Sequence, residues 1–313
     1  MKQKVYVEGQ EGTTGLRIHE MLAGRADLEV LKIDPDRRKD PVERARLLNA
    51  ADVVFLCLPD AAAIEAAALV SNPQTCIIDA STAHRTVPGW TYGLPELVAG
   101  QRAQLRTAQR ISNPGCHATA FILLVRPLVD AGLIPATLAL SATSITGYSG
   151  GGKQMIAHYT TSSDPRMNSP RPYALGLAHK HLPEMQHHSG LGVPPVFMPV
   201  VANFYQGLAL SIPLPYAQLA AGTTGATLQQ ALAQHYAGEA FVKVLPLADP
   251  AVLAEGYLDV QALNHTNVAE LLVFANATQA LLIARLDNLG KGASGAAVQC
   301  LNLRLGVPEG TGL

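Results

Sequence analysis

The run Ser112-Asn113-Pro114-Gly115-Cys116-His117 carries the clearest chemical potential in the chain, and an apolar stretch from 118 to 129 follows it. The Pro-Gly turn and the apolar stretch predict that Cys116 lies among the first residues of a helix. Unpaired N–H groups and partial positive charge at a helix start stabilise a thiolate, which is the nucleophilic form of cysteine. Cys116 is therefore a candidate nucleophile. The alternative is a small buried side chain that follows a turn.

Two histidines follow in the segment His179-Lys180-His181-Leu182-Pro183-Glu184. Histidines at positions i and i+2 share one face of an extended segment. A histidine beside a thiolate can pair with it and later deliver a proton. With Cys116 and Glu184, this pair is predicted to be catalytic. The alternatives are loop histidines bonded to backbone, or zinc ligands, for which the sequence offers no third ligand at an obvious spacing.

A glycine loop near the start of the chain predicts a dinucleotide site. It follows a strand pattern and opens a helical pattern, and in that context backbone N–H groups and the helix N-terminus face a pyrophosphate. The alternative is a plain strand–turn–helix connection. The predicted contacts are Gly9, Gly12, Thr13, Thr14 and Gly15.

The second strand pattern ends at Asp34, where an acidic residue would hold a ribose hydroxyl. Arg37 and Arg38 follow at once and could hold a 2′-phosphate, so the segment favours NADP over NAD. The alternative is a solvated basic loop.

Three further polar segments are candidate contacts. Ser81 and Arg85 lie in 79–85, after a strand and at the sheet edge where ligands bind; Arg85 suits a phosphate or carboxylate. The glycine-rich segment 147–153 is not followed by a long helix in the P-loop pattern and is expected to shape a substrate pocket or subunit contact. Segment 287–295 opens a helix and is a second candidate dinucleotide contact, through Asn288, Lys291 and Gly292.

Composition excludes several classes of protein. Apolar residues make up 48% and charged residues 15% of 313 positions, and the net charge is −1, so neither nucleic acid nor an anionic membrane is an expected partner. No apolar run reaches the roughly 18 residues of a membrane span. The other three cysteines, Cys57, Cys76 and Cys300, lie in apolar runs without framework spacing and are expected to be inert core. A reducing compartment, the cytoplasm, is expected because the chain begins directly with a strand pattern.

Strand and helix patterns alternate through the first third of the chain, which predicts βαβ units and a parallel sheet. The expected fold is α/β: a Rossmann-type dinucleotide-binding domain plus a second α+β domain on a largely antiparallel sheet. The expected boundaries are 1–116 with 287–313 for the NADP-binding domain, and 117–286 for the catalytic and dimerisation domain.

Together these motifs resemble the shorter type of N-acetyl-gamma-glutamyl-phosphate reductase, a family with the aspartate-semialdehyde dehydrogenase type of fold. The resemblance runs along almost the whole chain. It rests on the glycine loop, the segment 79–85, Tyr92-Gly93-Leu94-Pro95-Glu96, Asn113-Pro114-Gly115-Cys116, and the segments 147–153, 179–184 and 287–295.

The resemblance implies an enzyme of arginine biosynthesis in which NADPH reduces N-acetyl-5-glutamyl phosphate through an acyl-thioester on Cys116. His181, ahead of His179, would be the acid/base, and Asn113 with helix-start N–H groups would stabilise an oxyanion. Arg85 and Lys153 would hold phosphate or the substrate carboxylate. A homodimer or homotetramer without a metal is implied. The family often has an aromatic residue after the nucleophile, where this chain has His117.

Three alternatives stay open at this point. The nearest is aspartate-semialdehyde dehydrogenase, which performs the same chemistry on aspartyl phosphate. The second is a catalytically idle NADP-binding sensor, whose cysteine would be no more reactive than a free thiol. The third is a zinc protein that uses Cys116, His179 and His181.

Overall fold

The chain divides into two compact units in the computed structural model, which describes residues 2–10 and 12–313. Glu11, inside the predicted glycine loop, lies outside the described residues. The first unit comprises the residues up to Pro114 together with Ala293–Leu313, and the second unit is Gly115–Gly292. The turn at 287–292 therefore belongs to the second unit, although the expected boundary lay before it. The domain roles expected from the sequence stay predictions.

The first unit contains one sheet, in which every strand pair is parallel. The strand order is β2-β1-β3-β4-β6-β5, which confirms the Rossmann-type prediction. The carboxyl ends of β1, β4 and β6 share one edge of this sheet, where open α/β folds bind ligands. The elements of this unit that precede the second unit in the chain are β1 (Gln3–Glu8), α1 (Thr13–Leu22), β2 (Leu28–Leu31), α2 (Pro41–Ala50), β3 (Val53–Leu56), α3 (Asp60–Leu69), β4 (Cys76–Asp79), β5 (Thr91–Tyr92), α4 (Gln101–Thr107) and β6 (Arg110–Ser112).

The second unit contains a seven-stranded sheet in the order β11-β14-β15-β10-β7-β9-β8. Four of its six pairings are antiparallel, but β7–β9 and β11–β14 are parallel, so the sheet is mixed. The elements are α5 (Cys116–Asp130), β7 (Ser141–Gly147), α6 (Gly152–Thr161), β8 (Arg171–Pro172), α7 (Leu182–Ser189), β9 (Val196–Ala202), β10 (Leu208–Pro215), α8 (Gly225–His235), β11 (Val242–Val244), β12 (Leu253–Ala254), β13 (Tyr257–Leu258), β14 (Ala269–Ala275) and β15 (Gln279–Leu286).

Helix α5 is the central helix of the second unit. It is largely apolar, and residues 117–125 are all buried, as expected for a helix enclosed by other elements. It packs against α7, α8 and the strands β10, β14 and β15. This packing fixes the start of the helix, where Cys116 lies.

The chain ends with α9 (Gly295–Leu305), which belongs to the first unit. Residues 295–303 are all buried, and α9 packs against α1, α4 and β4. One hydrophobic cluster joins Val298 and Leu301 of α9 to Val5 of β1 and Phe55 of β3. The last helix of the chain is therefore part of the core beneath the dinucleotide-type sheet.

One local expectation needs correction. A ten-residue helix, α6, does follow the glycine-rich segment 147–153, because Gly152 with φ 72° lets the chain turn from a short 3₁₀ segment into the helix.

Within residues 2–10 and 12–313, no helix has the length and apolarity needed to cross a membrane.

Candidate active site

Cys116 is the first residue of α5, as the Pro-Gly turn predicts. The preceding Gly115 is the N-cap, with extended φ −82° and ψ 151°, and among the described residues no side chain caps this helix. The first-turn N–H groups thus stay available to an anion at the helix start. Cys116 is partly exposed, whereas Cys76 and Cys300 are buried, and within the described residues none of the four cysteines forms a disulfide.

Glu184 links the nucleophile turn to the histidine pair. Its Oε2 accepts a hydrogen bond from the Gly115 N–H at 3.2 Å, and its Oε1 lies 4.0 Å from Nε2 of His181. Glu184 is 1% exposed, so this carboxylate is shielded from water. A buried carboxylate beside an imidazole orients the ring and stabilises its protonated form. The carboxylate therefore holds the turn and lies close to the candidate acid/base.

The two histidines lie in a turn that enters α7, so the extended segment predicted for them is wrong. His181 is the N-cap of α7 with helical φ −87° and ψ −9°. Pro183 causes the difference, because a proline at the first helical positions presets the backbone for a helix. The rings of His179 and His181 still meet edge-on, with centroids 4.7 Å apart, and Nδ1 of His179 accepts the His181 N–H at 3.1 Å.

Gly292 packs directly on the nucleophile. A Cβ at this position would lie 2.7 Å from the Cβ of Cys116, closer than real atoms approach. The turn is closed by a hydrogen bond from the Gly292 N–H to the Asp287 carbonyl at 3.0 Å. Only glycine lets this turn lie against Cys116. The predicted dinucleotide contact of Gly292 stays a prediction.

His117 is enclosed by polar and aromatic groups of the second unit. Its Nδ1 is 2.8 Å from Ser144 Oγ, its Nε2 is 3.0 Å from the Tyr173 hydroxyl, and its ring contacts Phe197 at a centroid distance of 5.2 Å. Burial, and then the charge of His179, lower the pKa of His117 from 6.5 to about 3. His117 is therefore neutral at physiological pH and is not the acid/base.

The depressed pKa of His117 predicts an acid-dependent loss of stability. Below pH 6.5 the unfolded chain protonates this residue, but the folded chain does so only near pH 3. Unfolding therefore takes up a proton, and stability falls by about 1.4 kcal/mol for each pH unit below 6.5, with no contribution above it. We expect the free energy of unfolding of His117→Phe to change less between about pH 6 and pH 4 than that of the unmodified protein. Urea titration monitored by circular dichroism measures this free energy. An equal pH slope in both proteins would contradict the assignment.

The glycine loop of the first unit fits a pyrophosphate. A Cβ at Gly9 would lie 2.2 Å from the Cys57 carbonyl oxygen, and one at Gly15 would lie 2.5 Å from the Gly9 carbonyl oxygen. Backbone atoms thus approach Gly9 and Gly15 closely, and the loop ends at α1, whose N-cap Gly12 offers no side chain to the N–H groups of that helix. Among the described residues, the buried Thr13 hydroxyl has no hydrogen-bond partner. These features suit an anionic ligand at the helix start.

We expect Gly15→Ala to weaken NADP binding by about tenfold or more, equivalent to about 1.4 kcal/mol, because the added Cβ displaces the Gly9 carbonyl. Titration calorimetry with NADP measures this directly. The matched control is Gly24→Ala, whose left-handed φ of 81° makes it destabilising although its Cβ meets open space. Equal affinities in the two variants would mean that the loss reflects stability alone.

The loop after β4 is fixed by a buried cluster that the sequence analysis did not assign. Asp79 accepts hydrogen bonds from the Ser81 hydroxyl at 2.7 Å and from the Ser81 N–H at 2.9 Å, and it lies 2.6 Å from His84 Nδ1. His84 in turn stacks on Trp90. The signal available in the sequence was Asp-x-Ser-x-x-His after a buried strand. The Ser81 hydroxyl is thus directed at Asp79, and its cofactor role stays a prediction.

Arg85 connects this loop to the segment before the nucleophile. Its Nε donates to the Asn113 carbonyl at 2.9 Å and one Nη donates to the Ala80 carbonyl at 3.2 Å. The Asn113 side chain donates to the Ala293 carbonyl at 3.0 Å. All of these residues lie at the ligand edge of the first unit. Arg85 and Asn113 therefore have positioning roles there in addition to their predicted ones.

The remaining predicted residues have mixed surroundings. Arg37 is ion-paired with Asp40 at 2.8 Å and Glu43 at 3.3 Å, and Arg38 and Lys153 are exposed. In the second unit, Asn288 accepts from the Gly207 N–H and donates to Ser149, and the buried Lys291 lies over the ring of Phe241. Asn288 and Lys291 are thus part of the internal structure of that unit. Across the described ranges, no three His, Cys, Asp or Glu side chains are grouped to hold a metal ion.

Comparison with protein-family models gives two matches. Residues 4–106 match "Semialdehyde dehydrogenase, NAD binding domain", and residues 116–288 match "Semialdehyde dehydrogenase, dimerisation domain". Solved structures with the same fold include aspartate semialdehyde dehydrogenase II from Vibrio cholerae, with a TM-score of 0.71 and 15% identity over 97% of this chain and 98% of that one. The enzyme from Francisella tularensis has a TM-score of 0.73 and 14% identity over 96% and 99%. These likenesses concern the fold.

Curated relatives match the chain from end to end. N-acetyl-gamma-glutamyl-phosphate reductase 2 of Nostoc sp. is 48% identical over 320 residues, covering 100% of this chain and 99% of that protein. The reductase of Burkholderia lata is 48% identical over 97% of both chains, and reductase 2 of Pseudomonas putida is 47% identical over 98% of both.

Proposed function

Because the chain belongs to the semialdehyde dehydrogenase family, as an N-acetyl-gamma-glutamyl-phosphate reductase by full-length similarity, we propose that it reduces N-acetyl-5-glutamyl phosphate with NADPH. The products are N-acetylglutamate 5-semialdehyde and phosphate, and the reaction is a step of arginine biosynthesis. The fold neighbours named for aspartate semialdehyde share only 14–15% identity, so they support the architecture and not that substrate.

The residues around Cys116 divide the reaction into two easier steps. The Cys116 thiolate attacks the acyl carbon and phosphate leaves, which produces an acyl-thioester. When bound, NADPH supplies a hydride to the thioester carbon. His181 in its protonated form gives a proton to the oxygen of the resulting hemithioacetal, and Glu184 stabilises the positive ring. The neutral ring then takes this proton back as the carbon–sulfur bond breaks, which releases the aldehyde and restores the Cys116 thiolate. N–H groups of the first turn of α5 stabilise the oxyanion.

The observation that carries the proposal is the Glu184 carboxylate. It binds the turn at Gly115 and faces His181 at 4.0 Å. An NADP-binding protein without catalysis would need no carboxylate that binds the cysteine turn and also lies beside a candidate acid/base. We assign Gly9, Gly12, Thr13, Thr14 and Gly15 to the NADP pyrophosphate and Arg38, with Arg37, to its 2′-phosphate. Arg85 and Lys153 are the proposed anion contacts of the substrate.

The reverse reaction tests the proposal. The protein is mixed with N-acetylglutamate 5-semialdehyde, phosphate and NADP, and NADPH is followed by absorbance. Aspartate 4-semialdehyde and NAD serve as the competing substrate and cofactor. We expect the acetylated aldehyde with NADP to give the highest kcat/KM. Preference for aspartate semialdehyde would replace the proposed substrate, and no turnover with either aldehyde would contradict the enzymatic function.

We also propose that the chain forms a homo-oligomer through the outer face of its mixed sheet. The exposed apolar side chains of this face lie on β7, β9 and β15 and are those of Ile145, Val196, Met198 and Leu281. Exposed apolar patches of this kind mark interfaces. The match of residues 116–288 to a dimerisation-domain model supports an oligomer formed through this unit. We expect Ile145→Glu with Met198→Glu to reduce the sedimentation mass to that of one chain. Tyr257→Glu, at another exposed apolar residue, is the control and should sediment like the unmodified protein.

A further inference from the structure

The turn of residues 287–292 lies against Cys116 but has no task in the mechanism above. A Cβ at Gly292 would lie 2.7 Å from the Cβ of Cys116 and 3.1 Å from its Cα. The turn therefore covers one side of the nucleophile and restricts the directions in which its Cβ–Sγ bond can point. The groups that hold this turn in place consequently also fix the position of the sulfur.

Asp287 binds the other residues of the turn through both its backbone and its side chain. Its carbonyl accepts the N–H groups of Gly290 at 3.1 Å and of Gly292 at 3.0 Å. The second of these hydrogen bonds spans five residues, which is the π-type pattern that occurs frequently at functional sites. The Oδ1 atom of Asp287 accepts the N–H of Leu289 at 2.8 Å. One residue thus binds three N–H groups of the turn.

The other carboxylate oxygen of Asp287 connects the turn to two neighbouring segments. Oδ2 accepts hydrogen bonds from Nε2 of Gln206 at 2.8 Å and from the N–H of His265 at 2.7 Å. His265 makes this contact with a left-handed φ of 66°, which costs free energy for a residue with a Cβ. Asp287 is 1% exposed, so these donors replace the water that an exposed carboxylate would bind.

Asn288 connects the same turn to the glycine-rich segment 147–153. Its Oδ1 accepts the N–H of Gly207 at 2.8 Å, and its Nδ2 donates to the hydroxyl of Ser149 at 2.9 Å. The segment 147–153 ends at Lys153, one of the proposed anion contacts of the substrate. The turn is therefore linked both to the nucleophile and to a segment that is proposed to bind the substrate.

We propose that Asp287 is a positioning residue whose buried carboxylate holds the turn 287–292 against Cys116 and so fixes the direction from which the thiolate attacks the carbonyl carbon. This inference rests on the proposed role of Cys116 as the nucleophile. Asp287 acts through the turn, so it sets the geometry of attack and not the affinity for the aldehyde. A misplacement of about 1 Å in reacting groups can cost about 10²-fold in rate.

The experiment is the reverse reaction of Asp287→Asn, measured with the full chain. Both carboxylate oxygens face backbone N–H groups, those of Leu289 and His265, so either orientation of the amide places its NH₂ group against one of them. We expect kcat to fall by about 10²-fold. The KM for N-acetylglutamate 5-semialdehyde and the Kd for NADP should change by less than about threefold, because uniform binding is not affected.

A milder variant and a rescue variant extend the test. Gln206→Ala removes one donor but keeps both backbone donors, and we expect it to lower kcat by about fivefold. In the double variant Asp287→Asn with Gln206→Glu, the new amide can donate to the new carboxylate while its oxygen accepts the Leu289 N–H again. We expect kcat of the double variant to recover by about tenfold relative to Asp287→Asn. Losses that simply multiply in the double variant overturn the inference.

The matched control is Tyr236→Phe. It removes a different buried hydrogen bond of the second unit, from the Tyr236 hydroxyl to the Leu123 carbonyl of α5 at 2.8 Å, and should lower stability but not kcat. The inference is overturned if kcat of Asp287→Asn and of Gln206→Ala equals that of this control. It is also overturned if the loss is confined to NADP affinity, since the turn would then serve the cofactor. If the unmodified protein does not turn over the acetylated aldehyde, the proposed function fails instead, so the two failures are distinguishable.

Discussion

Cys116→Ala is expected to lower kcat of the reverse reaction by about 10⁴-fold or more, since removing a covalent nucleophile costs enzymes of this kind most of their rate enhancement. The alanine keeps the first turn of α5 intact, because Cys116 is partly exposed and its side chain is not part of the buried core. NADP affinity should therefore be unchanged. Stopped-flow absorbance with the aldehyde, phosphate and NADP measures both quantities.

The matched control is Cys76→Ala in β4. Burial raises the pKa of Cys76 to about 11 and that of Cys57 to about 12, so neither thiol ionises appreciably at neutral pH. Cys76→Ala should cost stability but keep turnover close to that of the unmodified protein. Turnover of Cys116→Ala within tenfold of the unmodified enzyme would show that no thioester is formed on this residue.

His181→Gln is expected to lower kcat by about 10²–10⁴-fold, the usual contribution of a general acid or base. The pH profile of kcat should also lose the limb that reports a titrating histidine, because glutamine can form hydrogen bonds but does not titrate. Glu184 would then still hold the Gly115 N–H, so the alkylation of Cys116 should persist. Steady-state kinetics over a range of pH gives the profile.

Two further histidines make this prediction specific. His187→Gln changes an exposed histidine of the same helix and should leave the profile unchanged. His179→Gln should have a smaller effect than His181→Gln, because His179 supports the His181 backbone through Nδ1. A larger loss in His179→Gln would exchange the two roles.

Much of the fold follows from local patterns in the sequence. Alternating strand and helix patterns predicted the parallel sheet of the first unit, and the glycine loop predicted the entry to α1. Strand β6 was not predicted, although it delivers the nucleophile turn, because a strand of three residues that begins with Arg110 has no periodicity of its own. It exists through its pairing with β4 and β5 in the sheet.

The site was predictable by residue type but not by contact. Cys116, His181 and Glu184 stand out through spacing and chemistry, whereas the link from Ser144 through His117 to Tyr173 joins residues that are 27 and 56 positions apart. Such contacts depend on which sheet face meets α5. The parallel β7–β9 pairing, which brings Tyr173 and Phe197 beside α5, is equally invisible to local patterns.

The place of α9 in the first unit has a consequence for the order in which the two units can be completed. The second unit is one continuous segment, whereas the first is assembled from two segments that the whole second unit separates in the sequence. Val298 of α9 packs in one cluster with Phe55 of β3, more than 240 positions earlier, and closing so long a loop costs conformational entropy. The core beneath the dinucleotide loop is therefore completed only after the second unit has been synthesised, and a stop codon before Gly295 would remove α9 from that core while leaving Cys116 and His181 in the chain.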